Sequence, residues 1–315
     1  MTDSGRTTRP DEGGTDRVAL GAALVTVVLW ASAFVGIRAV ATDLSPGSLA
    51  LGRLLVGTLV LGLVVLIRRP KRPSRRALPF IVASGILWFA LYNVVLNAGE
   101  RYVDAGTAAM LVNVGPILIA ILGGLFLAEG FPPRLIYGSL VAFAGATVIG
   151  LATSSGAAGP DAGLGIVFCL VAAVAYAVGV VLQKPAVRDT PALMVTWLAC
   201  LVGAVVLVPF APQLAGEVGT APSESLAWLV YLGVFPTAVA FTTWAFALNR
   251  TTAGRLGSTT YLVPAIAIVM GWFVLGEMPP IAALVGGAIA IGGVVIARSR
   301  PARPAAAPQT APAPR

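Results

Sequence analysis

AGTAAMLVNVGPILIAILGGLFLAEGFPPRLIYGSLVAFAG, residues 105–145, decides how the chain is read, because it occurs twice. Residues 253–293, AGRLGSTTYLVPAIAIVMGWFVLGEMPPIAALVGGAIAIGG, match it without a gap at an offset of 148 (253 − 105). In that register Ala105, Gly106, Pro116, Gly123, Leu127, Glu129, Pro132, Gly138, Ala142 and Gly145 meet Ala253, Gly254, Pro264, Gly271, Leu275, Glu277, Pro280, Gly286, Ala290 and Gly293. An apolar-biased chain matches Leu, Val and Ala readily by chance, but not prolines, acids and glycines together. Each copy reads as an apolar helix with a central proline, an acid at its end, a proline turn, and a second apolar helix with spaced glycines. A repeat of this kind fixes how the rest of the chain is parsed.

Apolar residues make up 57% of the chain and charged ones 11%, far from the roughly one-quarter charged usage of soluble domains. A polytopic membrane protein is expected, with the lipid bilayer as its surroundings. The net charge of +8 does not point to a nucleic-acid partner, because most Lys and Arg sit between apolar runs or in the tails, where headgroups and topology account for them. Cys169 and Cys200 lie inside apolar runs and His is absent. No disulfide framework, metal site or imidazole acid–base group follows, and no cofactor is expected.

A helix crossing a bilayer takes about 20 apolar residues. On that rule residues 1–17 are a disordered cytoplasmic tail, 18–152 a first repeat, 153–162 a linker, 163–297 a second repeat, and 298–315 a disordered cytoplasmic tail. The fold class is an all-α membrane protein of ten transmembrane helices arranged as two inverted five-helix repeats. Ala31-Ser32-Ala33 resembles a signal-peptidase site, yet the tail before it carries four acids, and Trp30 and Arg38 align with Tyr176 and Lys184 at an offset of 146 (176 − 30). The first span is therefore read as retained. With both termini cytoplasmic, eighteen of the twenty-one Lys and Arg fall on the inner side, Arg38, Arg53 and Arg101 being the exceptions. Five spans per half is an odd number, so the second half enters the membrane inverted, as in secondary transporters with a site near the midplane. Pro116 and Pro264 are each the twelfth residue of a 23-residue span. Each should open its helix and free backbone carbonyls, which is tolerable only against protein or a wet cavity.

These features together resemble the EamA-type family of the drug/metabolite transporter superfamily. The resemblance rests on Pro116, Leu127-Ala128-Glu129, Gly138 and Gly145, on Pro264, Leu275-Gly276-Glu277, Gly286 and Gly293, and on Pro46 with Arg53 and Trp30-Ala31-Ser32-Ala33-Phe34. It implies a carrier in the bacterial inner membrane, commonly an exporter of amino acids, related metabolites or toxic compounds. It also implies a central cavity lined by the first, third and fourth helices of each half.

Glu129 and Glu277 sit at span ends, where the resemblance implies a structural role, either satisfying nearby backbone or capping the next helix at its positive N-terminal end. No acid lies in the central third of any span, which weighs against a proton relay. Arg53 is the one clearly intramembrane charge and needs a partner. It is read as a rim ion pair with Glu100 or Asp104, against the sharper reading that the guanidinium fork of Arg53 or Arg38 takes a substrate carboxylate during release. Polar and aromatic residues on the cavity helices are the substrate-binding candidates: Trp30 and Ser32, Trp88, Tyr92 and Asn93, Asn113, Tyr176, Trp244, and Thr260 and Tyr261. Unpaired polar groups are costly in hydrocarbon, and aromatic interleaving favours an amphipathic organic solute. Gly138-x-x-x-Ala142 and Gly286-x-x-x-Ala290 are packing motifs that leave monomer and homodimer open.

The function expected is a secondary transporter exporting a small amphipathic metabolite, an amino acid or related compound, by alternating access. Uptake or passive facilitated exchange is the rival within transport. A membrane-embedded enzyme would need a nucleophile with its base or a metal cluster, and the sequence offers neither.

Overall fold

The computed structural model describes residues 16–102, 105–153, 162–275 and 280–299. Asp104, Glu277, the side chain of Arg38, the greater part of both tails and the linker residues 154–161 lie outside the described residues. All regular structure among the described residues is helical. In order it comprises α1 (Arg17–Val40), α2 (Pro46–Arg68), α3 (Leu78–Gly99), α4 (Ala105–Val112), α5 (Gly115–Phe126), α6 (Pro133–Thr153) and α7 (Ala162–Asp189). There follow α8 (Ala192–Val206), α9 (Ala211–Thr220), α10 (Ser223–Arg250), α11 (Ala253–Gly257), α12 (Leu262–Leu275) and α13 (Ile281–Arg298).

Seven of these, α1, α2, α3, α6, α7, α10 and α13, are long and apolar enough to cross a membrane, and Met110–Phe126 forms a shorter apolar helix. Helices are the form in which such a chain can satisfy its backbone without water. Their outer faces are apolar: Leu59, Leu66, Phe126 and Ile281 are 72–80% exposed, as expected where lipid is the solvent. Local chemistry sets the ends. Pro46 opens α2 in the first turn, where no N–H is needed, and Arg69 closes it in the left-handed region (φ 44°), its N–H bonding the carbonyl of Val65. Between α8 and α10 lies the short helix α9. Pro209 and Pro212 hide it in the sequence but fall where a short turn and a new helix begin, and the axis bends there by 55°.

The repeat extends further than the matched residues. A π-helical turn occupies Gly85–Leu91 in α3, and another occupies Gly233–Val239 in α10, displaced by the same 148 positions (233 − 85). Each wide turn leaves backbone carbonyls for side chains. Asn93 Nδ2 donates to the carbonyl of Phe89 at 2.8 Å, and Thr237 Oγ1 donates to that of Leu232 at 2.8 Å. The two proline helices also break, but two to six residues before the ring. In the first half the helix is interrupted at Asn113 and Val114, and Pro116 sits in the first turn of α5. In the second half Ser258–Tyr261 tighten into a 3₁₀ turn, where Ser258, Thr259 and Thr260 each donate to the carbonyl three residues back. A proline excludes the carbonyl four positions before it, so the break appears upstream of the residue that causes it.

The last helices of the two halves, α6 and α13, cross almost backbone to backbone. A Cβ on Gly138 would lie 2.3 Å from the nitrogen of Ala297, and one on Gly293 would lie 2.3 Å from that of Ala142. Gly145 and Gly286 meet the partner backbone in the same way. The spaced glycines thus serve an interface within one subunit, between the halves.

Candidate functional site

A cavity of about 80 Å³ lies where the halves meet. Trp30, Arg53, Trp88, Tyr92, Asn93, Asn113 and Pro116 line it from the first half, and Tyr176, Phe241, Thr260 and Pro264 from the second. Its volume is below the ~300–1,000 Å³ of clefts that hold drug-sized ligands, so this conformation is constricted.

The floor is an aromatic cluster. Trp30 stands 5.0 Å from Trp244, 5.4 Å from Phe241, 6.0 Å from Trp88 and 6.5 Å from Tyr176, ring centre to ring centre. Trp88 and Tyr176 are 5.5 Å apart, so the tryptophan of the π turn and the tyrosine of α7 share a wall. Small residues admit them: a Cβ at Gly179 would meet that of Trp88 at 2.5 Å, and one at Gly115 would meet the Tyr176 ring at 2.6 Å. Trp30 and Tyr176, aligned by the repeat, thus meet in the wall of one cavity.

Polar groups are set into this apolar lining. Asn93 spends its amide protons on the carbonyls of Phe89 and Trp88, which leaves its amide oxygen as an acceptor. The indole Nε1 of Trp30 is buried without a protein partner. Arg53, the eighth residue of α2, is 6% exposed. Its Nε has no hydrogen-bond partner, and it makes no ion pair among the described residues. Tyr92 and Glu100 act on it electrostatically. The arrangement is thus a buried cation opening on a cavity, and the pairing with Asp104 weighed from the sequence lies outside the described residues.

Three candidates point elsewhere. The Ser32 and Tyr231 hydroxyls bond at 2.7 Å, and this pair borders a separate pocket with Trp228, Glu224 and Met270. Trp244 lies fully buried behind Trp30. Tyr261 is fully buried against Phe143, Ala142, Ala146 and Val294, beneath the crossing of α6 and α13. Phe241 was not anticipated, although it stands at the position of Asn93 in the second half (241 − 93 = 148).

Glu129 caps a helix, but not the next one. Its carboxylate accepts from the N–H of Ala253 at 2.7 Å and of Gly254 at 3.2 Å. Thr252 accepts from Arg255 at 3.3 Å, so the first three amides of α11 are satisfied. Ala128 and Gly130, with φ of 56° and 68°, turn the chain on either side of Glu129. The helix that follows opens on Pro133, which has no N–H to offer. Nearby, the ammonium of Lys184 donates to the carbonyls of Leu248 and Thr251, closing the end of α10. At the same end of the molecule Asp16 accepts from Val18 and Ala19 and pairs with Arg250 at 3.3 Å. The Ala19 amide bond foremost, with Arg250 adding to it, holds the Asp16 carboxyl below its ordinary range. At the opposite end Glu217 accepts from the N–H of Ser45 at 2.9 Å, and Ser225 bonds Asp43.

The EamA-like transporter family profile matches residues 17–151 and again 163–299. The chain belongs to the EamA-like transporter family. Among relatives of this EamA chain, a probable terminal-alkyne amino-acid exporter of Streptantibioticus cattleyicolor is 37% identical over 90% of this chain and 94% of its own. An uncharacterized transporter of Bacillus subtilis, YdfC, is 32% identical over 84% and 86% respectively. A crystal structure superposes on 89% of this chain and 96% of its own length with a TM-score of 0.73, at 21% identity, and so speaks to the fold alone. The chain is accordingly a multi-pass membrane protein of a transporter family, and the relatives named above are transporters.

Proposed function

We propose that this EamA-family chain exports a small amphipathic metabolite, an amino acid or related compound, across the bacterial inner membrane by alternating access. The observation that carries this reading is the central cavity. It lies between two halves of repeated sequence, takes side chains from both, and is bordered by both interrupted proline helices. Ten spans in two inverted five-helix repeats accommodate it, with α4–α5, α8 and α11–α12 completing the seven long apolar helices. Both termini are placed in the cytoplasm. This orientation is supported by the cationic run Arg68–Arg76 after α2 and by the contact of Asp16 with Arg250 at one end of the molecule. Trp30, Trp88, Tyr92, Asn93, Asn113, Tyr176 and Thr260 are the substrate contacts in this reading, and Pro116 and Pro264 the points of helix opening.

Export of amino-acid-like compounds draws support from the Streptantibioticus relative, and uptake or passive exchange is its competitor. The test is counterflow in liposomes containing the purified protein, with labelled amino acids and amphipathic aromatic compounds, with and without an imposed pH gradient. Saturable exchange indifferent to the gradient supports an uncoupled carrier. The absence of exchange for every compound would overturn the reading.

A further inference from the structure

We infer that Arg53 is the anchor of the substrate carboxylate, so that the cavity selects small organic acids with an apolar tail, anionic or zwitterionic, and refuses the corresponding amines and esters. This rests on the central cavity being the transport site. A guanidinium almost wholly removed from solvent is expensive unless a negative group or several acceptors meet it. Here the Nε is unsatisfied, no ion pair forms among the described residues, and the side chain borders the cavity. The described lining contains this one cation and no Asp or Glu.

The surroundings match such a ligand. A carboxylate on Arg53 would sit in a lining that also carries Tyr92, Asn93 and Asn113, and would supply the acceptor oxygens the guanidinium lacks. The tail would then meet Trp30, Trp88, Tyr176 and Phe241. A substrate ammonium, where present, has no counter-carboxylate in the lining and meets aromatic faces and the Asn93 amide oxygen instead. An amine lacking the acid would bring a second positive charge into a cavity that already holds one.

The experiment is counterflow with matched sets sharing one apolar group: phenylalanine, its methyl ester and phenethylamine, and leucine with its methyl ester. Quenching of intrinsic tryptophan fluorescence by the same compounds is followed on the purified protein. The wild type should exchange the acids and discriminate against the esters and amine on the order of tenfold or more, the effect of losing a charge-assisted contact. Arg53→Gln should bring that ratio to near one, and Arg53→Lys should leave an intermediate preference, because it retains the charge without the fork. Wild-type exchange of acid and ester alike, or an acid preference that survives in Arg53→Gln, overturns the anchor and leaves the transport function standing. No exchange of any member removes both. Should Arg53→Gln fail to insert, the wild-type ratio and the fluorescence difference between acid and ester decide by themselves.

Discussion

Replacing Gly138 with alanine tests the joint between the two halves. The new Cβ would sit 2.3 Å from the nitrogen of Ala297 and 2.6 Å from the carbonyl oxygen of Gly293. Ordinary contacts to carbon lie at about 3.5–4.0 Å, so α6 and α13 must separate by roughly 1 Å. A gap of that size forfeits up to about half of each contact energy. Over ~50 atom pairs at ~0.15 kcal/mol, the loss approaches about 4 kcal/mol if nothing relaxes. Partial relaxation brings the expectation to about 2–3 kcal/mol, within the usual range for overpacking. At roughly 2–4 °C per kcal/mol for a chain of this size, the melting midpoint should fall by about 5–10 °C. Gly292 provides the control within α13, since a Cβ there would meet nothing within 4 Å. Gly292→Ala should hold the midpoint or raise it slightly, because alanine is the better helix former by about 1 kcal/mol. The assay is thermal challenge of the detergent-solubilised, fluorescently tagged protein followed by size-exclusion of its main peak. If Gly138→Ala and Gly292→Ala melt together, the crossing of α6 and α13 is not as close as described.

Alanine at Pro116 or Pro264 should let the interrupted helices run on, lowering the counterflow rate severalfold while insertion stays normal; wild-type kinetics in both would remove the helix-opening role. Glu129→Gln keeps an acceptor oxygen but loses the charge on two α11 amides. It should cost about 1–2 kcal/mol, read as a midpoint lowered by several degrees, and an unchanged midpoint would count against the cap. Ser32→Ala should leave the half-saturation concentration for exchange within about twofold, because Ser32 bonds Tyr231 outside the cavity. Asn113→Ala should raise that concentration on the order of tenfold through loss of a buried polar contact. The opposite ranking would move the site to the pocket beside Tyr231.

Much of the helical order was legible because glycine, proline and glutamate have positional meaning. Gly138 and Gly293 permit the backbone crossing, Pro116 and Pro264 mark interrupted helices, and Glu129 supplies a cap. The target of that cap was not legible, since the two ends of the bond lie more than a hundred residues apart in the sequence. The π turns were hidden as well. Gly85 and Gly233 align, but a wide turn follows from tertiary bonding to its carbonyls, as with Asn93 and Thr237, more than from any local preference. Helix faces were the weakest point. In a soluble helix the 3.6-residue period separates core from surface, whereas here lipid and protein are both apolar. Nothing local distinguishes Trp30, which borders the cavity, from Trp244 behind it, or Thr260 from its neighbour Tyr261.

The two halves share a backbone pattern but not a polarity. Asn93 corresponds to Phe241 across the repeat (241 − 93 = 148), and Arg53, in the second helix, corresponds to Ala199 at the offset of 146 that also pairs Trp30 with Tyr176 (199 − 53 = 146). Arg53, Tyr92, Asn93 and Asn113 thus come from the first half, while the second presents mainly Tyr176, Phe241 and the Thr260 turn. In a carrier that rocks one half against the other, a solute held through its charged end would keep its anchor on the first half throughout the cycle. Its tail would slide against an aromatic surface with few directional bonds to break. Inverted repeats supply two similar barriers on opposite sides of a site; under the proposed reading, the divergence of the lining would give that site one polar pole, so that the same bound orientation would be kept as access changes sides.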